Sequence, residues 1–324
     1  RVYQQLIEVG EEMKGMALKH ARTVMVARTN SVDASATTWG LHVSGYLAEV
    51  NRHLNRLQQL YPRAITGLFG GAVGNLASVG SQGMATRERL MRALGLNVPC
   101  GINNASQDAI VEVVQCFALI HGTLCRLAND VETLGRTPIA EVLEGEGGGG
   151  SSTMPHKANP RASNMIQTLA MYASGAPAML DQQDVRAASM RVLNWTILPE
   201  ASNALSVSLS RAKKLLSHLI VNEDRMRANF DCSKSFIMSE SITMSLANKI
   251  GREPAYNLVK ALLSQANGEQ SLIDIVHASP EIRASLSAEE IADACEPLSY
   301  IGCNDALIAE TLARFDEMKV IDIA

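Results

Sequence analysis

Apolar side chains return to one face of the chain in two long stretches. Ile110, Val113, Phe117, Ile120, Leu124, Leu127, Val131 and Leu134 recur at alternating steps of three and four, and Leu205, Leu209, Ala212, Leu216 and Leu219 do much the same. A repeat averaging about 3.5 residues is the seam of a packed bundle helix. A third helix is predicted from about Ser35 to Leu60, with Leu47, Val50, Leu54 and Leu57 on one face. A proline inside a helix costs ~3 kcal/mol, so the proline-free stretches 1–61, 100–137 and 200–253 are where long helices can run. Beyond Pro254 the segments shorten, first PAYNLVKALLSQA and then SLIDIVHASPEIRASLSAEEIADAC. The pattern predicts an all-α protein, with a central helical bundle over 1–224 and a small helical C-terminal domain over 225–324. Seams of this length exceed what one compact chain can cover, so assembly with further copies is expected.

Composition narrows the partners. Of 324 residues, 47% are hydrophobic and 4% aromatic, a mix that suits packed helices better than a sandwich of strands. The net charge of −4 supplies no concentrated positive field, so neither nucleic acid nor an anionic membrane is an expected partner. An anionic small molecule remains possible if its counter-charges are local. The six cysteines are scattered, without a CxxC pair or a histidine at zinc-ligand spacing, so reduced thiols, a cytoplasmic location and no metal or other cofactor are expected. The opening RVYQQLIEVGEEMK lacks the features of a signal peptide, and no window offers the ~18 uninterrupted apolar residues of a membrane span. It also lacks an initiator Met and starts inside a predicted helix, so an upstream segment is expected.

Candidate chemistry concentrates in residues 144–162, EGEGGGGSSTMPHKANPRA. Four glycines at 147–150 make a backbone expected to be mobile across 144–153, and Pro155 and Pro160 bracket the start of the next helix. A Gly-rich loop feeding a helix N-terminus suggests anion binding, because free N–H groups point outward there. A phosphate-binding P-loop does not fit, since Lys157 follows the serine pair at an unsuitable spacing. Taken alone, the stretch also reads as a flexible linker before a capped helix.

The full string GSSTMPHKANP resembles the signature of the fumarase/aspartase superfamily, GSSxMPxKxNP, and matches it at every fixed position. GLFGGAVGNLASVGSQG (67–83), QQDVRAASMRVLNWTILPEA (182–201) and SAEEIADACEPLSYIG (287–302) are similar to the branch that contains 3-carboxy-cis,cis-muconate cycloisomerase and adenylosuccinate lyase. The resemblance implies a homotetramer with active sites built from three subunits, and a loop that closes over a di- or tricarboxylate. It implies Ser151 as the catalytic base, with Ser152 the alternative, and Lys157, Asn159 and Met154 on the substrate. It also implies an N-terminal domain that this sequence does not contain. The physical logic agrees: removing a proton beside a carboxylate loads that carboxylate with charge, and fixed donors there stabilise the transition state.

The sequence departs from the family in identifiable places. ARTNSVDASATTWG (27–40) stands where the family has a [GA]RTHxQ-type segment, so Arg28 and Thr29 match while the histidine is Asn30. These three are candidate substrate residues, though Thr29 and Asn30 also suit a capped turn. Gln107 and Asp108 stand for a QRD-type segment without its Arg; Gln107 is taken as a substrate residue and Asp108 as a first-turn acid. Arg186 aligns with a family Arg, with Arg191 nearby. His156 reads as a loop residue and His121 as a partnered core histidine.

In the lyases the missing histidine helps protonate the leaving group, which asparagine cannot do. An amine needs that acid, whereas a carboxylate leaves unaided. The resemblance therefore implies a cycloisomerase, with an amine-expelling lyase that releases fumarate as the alternative. A catalytically inactive structural relative is the third reading.

Overall fold

The computed structural model describes residues 1–101, 106–145, 149–150, 153–180, 188–233, 236–265 and 270–321. Helix α1 (Val2–Lys19) runs into an antiparallel hairpin, β1 (Val24–Thr29) and β2 (Val32–Thr38), and then α2 (Trp39–Ala64) returns alongside α1. A glycine-rich turn and a 3₁₀ segment (Ala77–Gln82) lead to α3 (Gly83–Leu94) and then to α4 (Asp108–Leu134). Short strands β3 (Val142–Leu143), β4 (Gly149–Gly150) and β5 (Ala158–Asn159) precede α5 (Arg161–Ser174), α6 (Ala176–Leu180) and α7 (Ala188–Ser217). After β6 (Ile220–Val221) come α8 (Glu223–Cys232), α9 (Ser239–Ile250), α10 (Arg252–Gln265), α11 (Leu272–Ala278), α12 (Pro280–Ser285), α13 (Ala288–Cys295) and α14 (Asn304–Lys319). The all-α reading holds, with the hairpin as its main exception.

Two expectations are corrected. The helix predicted from Ser35 starts at Trp39, because Val32–Thr38 is a strand. Absence of proline did not make residues 24–38 helical, for Val24, Val26, Val32, Thr37 and Thr38 favour an extended backbone. Pro199 and Pro62 lie inside α7 and α2, contrary to the idea that prolines bound the long helices. Pro199 is exposed, and so is Trp195 at the i−4 position it disrupts. Pro62 lies within the last turn of α2, two residues before its end at Ala64.

α1, α2, α4, α5, α7 and α14 share one core, which includes Leu6, Trp39, Leu54, Ile120, Leu124, Leu205, Leu209 and Phe315. A second core gathers α8 to α13 around Phe230, Ile242, Val276 and Ile291. The hairpin stands between them. Alternation along β1 turns Val24 and Val26 to the second core and Met25 to the first. α14 rejoins the bundle, and Gly10 admits the Phe315 ring, which any Cβ there would overlap.

The seam of α4 is buried from Ile120 onward, but Val113 and Phe117 are only half-buried and Ile110 is exposed. On the neighbouring α5 and α7, Met171 is 69% and Trp195 73% exposed, with Met165, Tyr172 and Val192 also open. α4 has the length and hydropathy of a possible membrane span, yet it lies among α2, α5 and α7 and binds polar groups of α2 through Thr123 and Asp130.

Candidate functional site

Connectivity sets two ends to the bundle. α4 carries Gln107 before its first turn and the 139–144 segment beyond its last. Its 27 residues separate those points by about 40 Å at ~1.5 Å per residue. The signature stretch and the hairpin lie at the second end.

The signature loop is closed at its neck. Gly149 pairs with Asn159 and Gly150 with Ala158, an antiparallel ladder that zips the outgoing chain to the returning one. Lys157 is exposed at the foot of this ladder, with its N–H on the Met154 carbonyl at 3.0 Å; Met154 and His156 are exposed too. Ser151 and Ser152 lie outside the described residues, as do 146–148 of the stretch expected to be mobile. Gly149 leaves room for the Arg161 side chain, which would have to shift if a Cβ stood here.

The expected anion site at the start of α5 is occupied by the chain itself. Pro160, the residue before the helix, makes no side-chain cap. Glu144 supplies it instead: one carboxylate oxygen accepts the Ala162 N–H at 3.0 Å, and the other accepts the Ser163 N–H at 2.7 Å and the Ser163 hydroxyl at 2.6 Å. The neighbouring Gly145 sits so close to the His218 carbonyl that a Cβ would overlap it, and β3 pairs with β6 beside it.

Arg28 reaches the same segment. Its guanidinium donates to both oxygens of Glu141 at 2.9 and 2.6 Å and to Asp33 at 3.1 Å. Glu141 is fully buried and also accepts from Asn229 at 2.8 Å. The hydrogen bonds to Glu141 hold the Arg28 guanidinium charged, its pKa above the usual value. Thr29 and Asn30 are exposed at the hairpin tip. Asn30 and Ser31 have φ of 51° and 64°, the two successive left-handed residues of a tight hairpin turn, and asparagine tolerates that region well.

Gln107, at the other end, is buried and bridges helices. Its amide donates to the Leu180 carbonyl at 2.7 Å and accepts from Asn194 at 2.5 Å. It borders a cavity of about 960 Å³, also lined by Gly70, Gly71, Arg63, Ser106, Asp108 and Arg191. Nearby Leu76 is held at φ 58°, with its N–H on the Gly70 carbonyl, an uncommon conformation for a branched residue. Arg186 lies outside the described residues.

The structure thus brings Arg28, Thr29, Asn30, Lys157 and Asn159 to one end of the bundle and leaves Gln107 at the other. Glu141 and Glu144 escaped the sequence reading; two carboxylates three apart before a glycine run were the available signal. His121 is buried as expected, but neither ring nitrogen has a partner among the described residues, which corrects the expectation of a satisfied histidine. Among the described residues no cluster of His, Cys, Asp or Glu could hold a metal ion.

Comparison with known proteins agrees with this architecture. Residues 1–175 match the lyase family model, and residues 235–311 match the adenylosuccinate lyase C-terminus. The chain is 33% identical over 318 residues to a 3-carboxy-cis,cis-muconate cycloisomerase of Pseudomonas aeruginosa, covering 96% of this chain and 69% of that protein. It is 33% identical over 331 residues to an adenylosuccinate lyase of Pyrococcus abyssi, covering 98% and 72%. Among solved structures, the 3-carboxy-cis,cis-muconate lactonizing enzyme from Pseudomonas putida superposes with a TM-score of 0.89 at 30% identity, over 98% of this chain and 72% of that one.

Proposed function

The chain belongs to the fumarase/aspartase superfamily of lyases, and on that premise we propose that it is a cycloisomerase most like 3-carboxy-cis,cis-muconate cycloisomerase, acting on a small di- or tricarboxylate. In the forward direction a substrate carboxylate oxygen adds to an alkene carbon, and the neighbouring carbon, next to a second carboxylate, takes up a proton. In reverse, a base removes that proton, the C–O bond breaks and the carboxylate departs with the electron pair.

Ser151 is the proposed base, with Ser152 the alternative one residue on. Lys157, Asn159 and Met154 border the carboxylate beside the reacting carbon, so positive charge and donors stand where negative charge grows. Thr29, Asn30, Gln107 and Arg186 complete the proposed substrate contacts, while Arg28 acts from behind through Glu141. The observation that carries the reading is the signature loop itself, zipped at 149–150 and 158–159 so that Lys157 is presented beyond its neck. Asn30 supports a carboxylate leaving group, since a turn asparagine supplies no acid. Absorbance assays with purified protein test the reading. Loss of the diene band of 3-carboxy-cis,cis-muconate, without turnover of adenylosuccinate, is expected. Turnover of adenylosuccinate alone would replace it with the amine-expelling lyase, which the match at residues 235–311 favours.

We infer further that the working unit is a homotetramer with shared sites. Gln107 and Lys157 lie about a helix length apart within one chain, so a second copy must bring one to the other. The exposed Trp195 and Met171 offer an apolar face for that contact. The cysteines are all free, which suits a reducing cytoplasm.

A further inference from the structure

Residue 144 is where the signature loop departs, and residues 159–163 are where it returns. Across this gap the Glu144 carboxylate binds Ala162 and Ser163, and it is the cap that α5 otherwise lacks. The ladder of Gly149 with Asn159 joins the same outgoing and returning segments. The two ends of the loop are therefore joined twice, once by backbone pairing and once by this charge.

We propose that Glu144 is a positioning residue for the proposed reaction: an internal anion that occupies the N-terminus of α5, closes the neck of the signature loop and so sets the place of Lys157 and Asn159. The idea rests on the reading that those two hold the substrate carboxylate. The free N–H groups and the helix dipole at the start of α5 would attract any anion. With Glu144 in place they are neutralised, and an incoming carboxylate is directed to the loop instead. Without it the helix end becomes an empty anion site, and the returning strand loses its anchor.

The test uses the full chain carrying Glu144→Ala, with and without sodium acetate, and sodium chloride at equal ionic strength as the control. Two readouts are followed: amide hydrogen exchange across residues 153–163, and kcat and KM on whichever substrate the native chain turns over. Exchange at 158–163 should quicken roughly five- to tenfold, as for a lost helix cap, while α2 and α4 are unchanged. Turnover should fall about tenfold or more, because small displacements of positioning groups are costly, and KM should rise. Acetate, but not chloride, should reverse part of both effects by refilling the vacated site. Glu144→Gln, which keeps one acceptor oxygen, should fall between the two and serves if the alanine variant fails to fold. Unchanged exchange in the variants, or faster exchange that acetate does not reverse, would overturn the proposal. Exchange is read without substrate, so an inactive native chain would defeat the functional reading while leaving this one to be decided.

Discussion

Arg28 and Glu141 form a two-pronged ion pair, 2.6 and 2.9 Å, that fastens the hairpin to the segment feeding the signature loop. The carboxylate is fully buried and the guanidinium largely so. A buried charge that loses its partner is expensive, while replacing both partners by apolar groups costs far less.

Arg28→Met should therefore destabilise the fold by about 3–5 kcal/mol, leaving the Glu141 carboxylate, among the described side chains, with Asn229. Arg28→Met combined with Glu141→Leu should recover much of that loss. Urea denaturation of the single and double variants measures both. Equal losses would show that the pair has little energetic weight.

Ser151→Ala should leave folding and assembly intact and lower turnover by at least about a hundredfold, in line with a positioned proton-transfer group. Lys157→Met should weaken both binding and rate, because a cation on the carboxylate acts in the ground state as well as the transition state. Steady-state kinetics separate the two patterns. Loss of turnover in Ser152→Ala alone would move the base by one residue.

Acid should destabilise the protein before its carboxylates titrate. Burial, and for His53 the adjacent Arg56, push His53 down to about 4; burial alone does the same to His121. In the unfolded chain both return to ~6.5. Between these values the unfolded chain binds more protons, so the stability present above pH 6.5 drains away as pH falls toward 4, by up to roughly 3 kcal/mol for each histidine. His121→Leu should flatten this dependence and also remove two unpartnered nitrogens from the core. Urea midpoints at pH 7 and pH 5 decide it; an unchanged difference between them would refute the His121 contribution.

Trp195→Glu should break the assembly without unfolding the chain, since the ring is 73% exposed on one protomer. Sedimentation velocity should shift from a large species to the monomer, while the helical circular dichroism is retained. A stable assembly of the variant would place the interface elsewhere.

Gly145→Ala should lower the melting temperature and turnover, because its Cβ would overlap the His218 carbonyl, a backbone atom that cannot step aside. Gly150→Ala, where none of the described residues lies within 4 Å of a Cβ, should be tolerated. Thermal unfolding of both variants compares them; equal sensitivity would count against the close approach.

The spacing of Ile120, Leu124, Leu127 and Val131 was enough to specify a helix and its buried face, because periodicity is a local property of the chain. The string GSSTMPHKANP likewise marked the family, which the lyase match over residues 1–175 bears out. Tertiary structure decided that the extended preference of Val24, Val26 and Thr37 prevails there, since a bundle core that includes α1 and α14 and a second core of α8 to α13 meet on that hairpin. It also decided that Glu144 fills the helix end that local sequence offers to a ligand, and that Gln107 lies a helix length from Lys157. Such pairings depend on which residues distant in the chain meet when elements pack, and neither periodicity nor motif spacing encodes that.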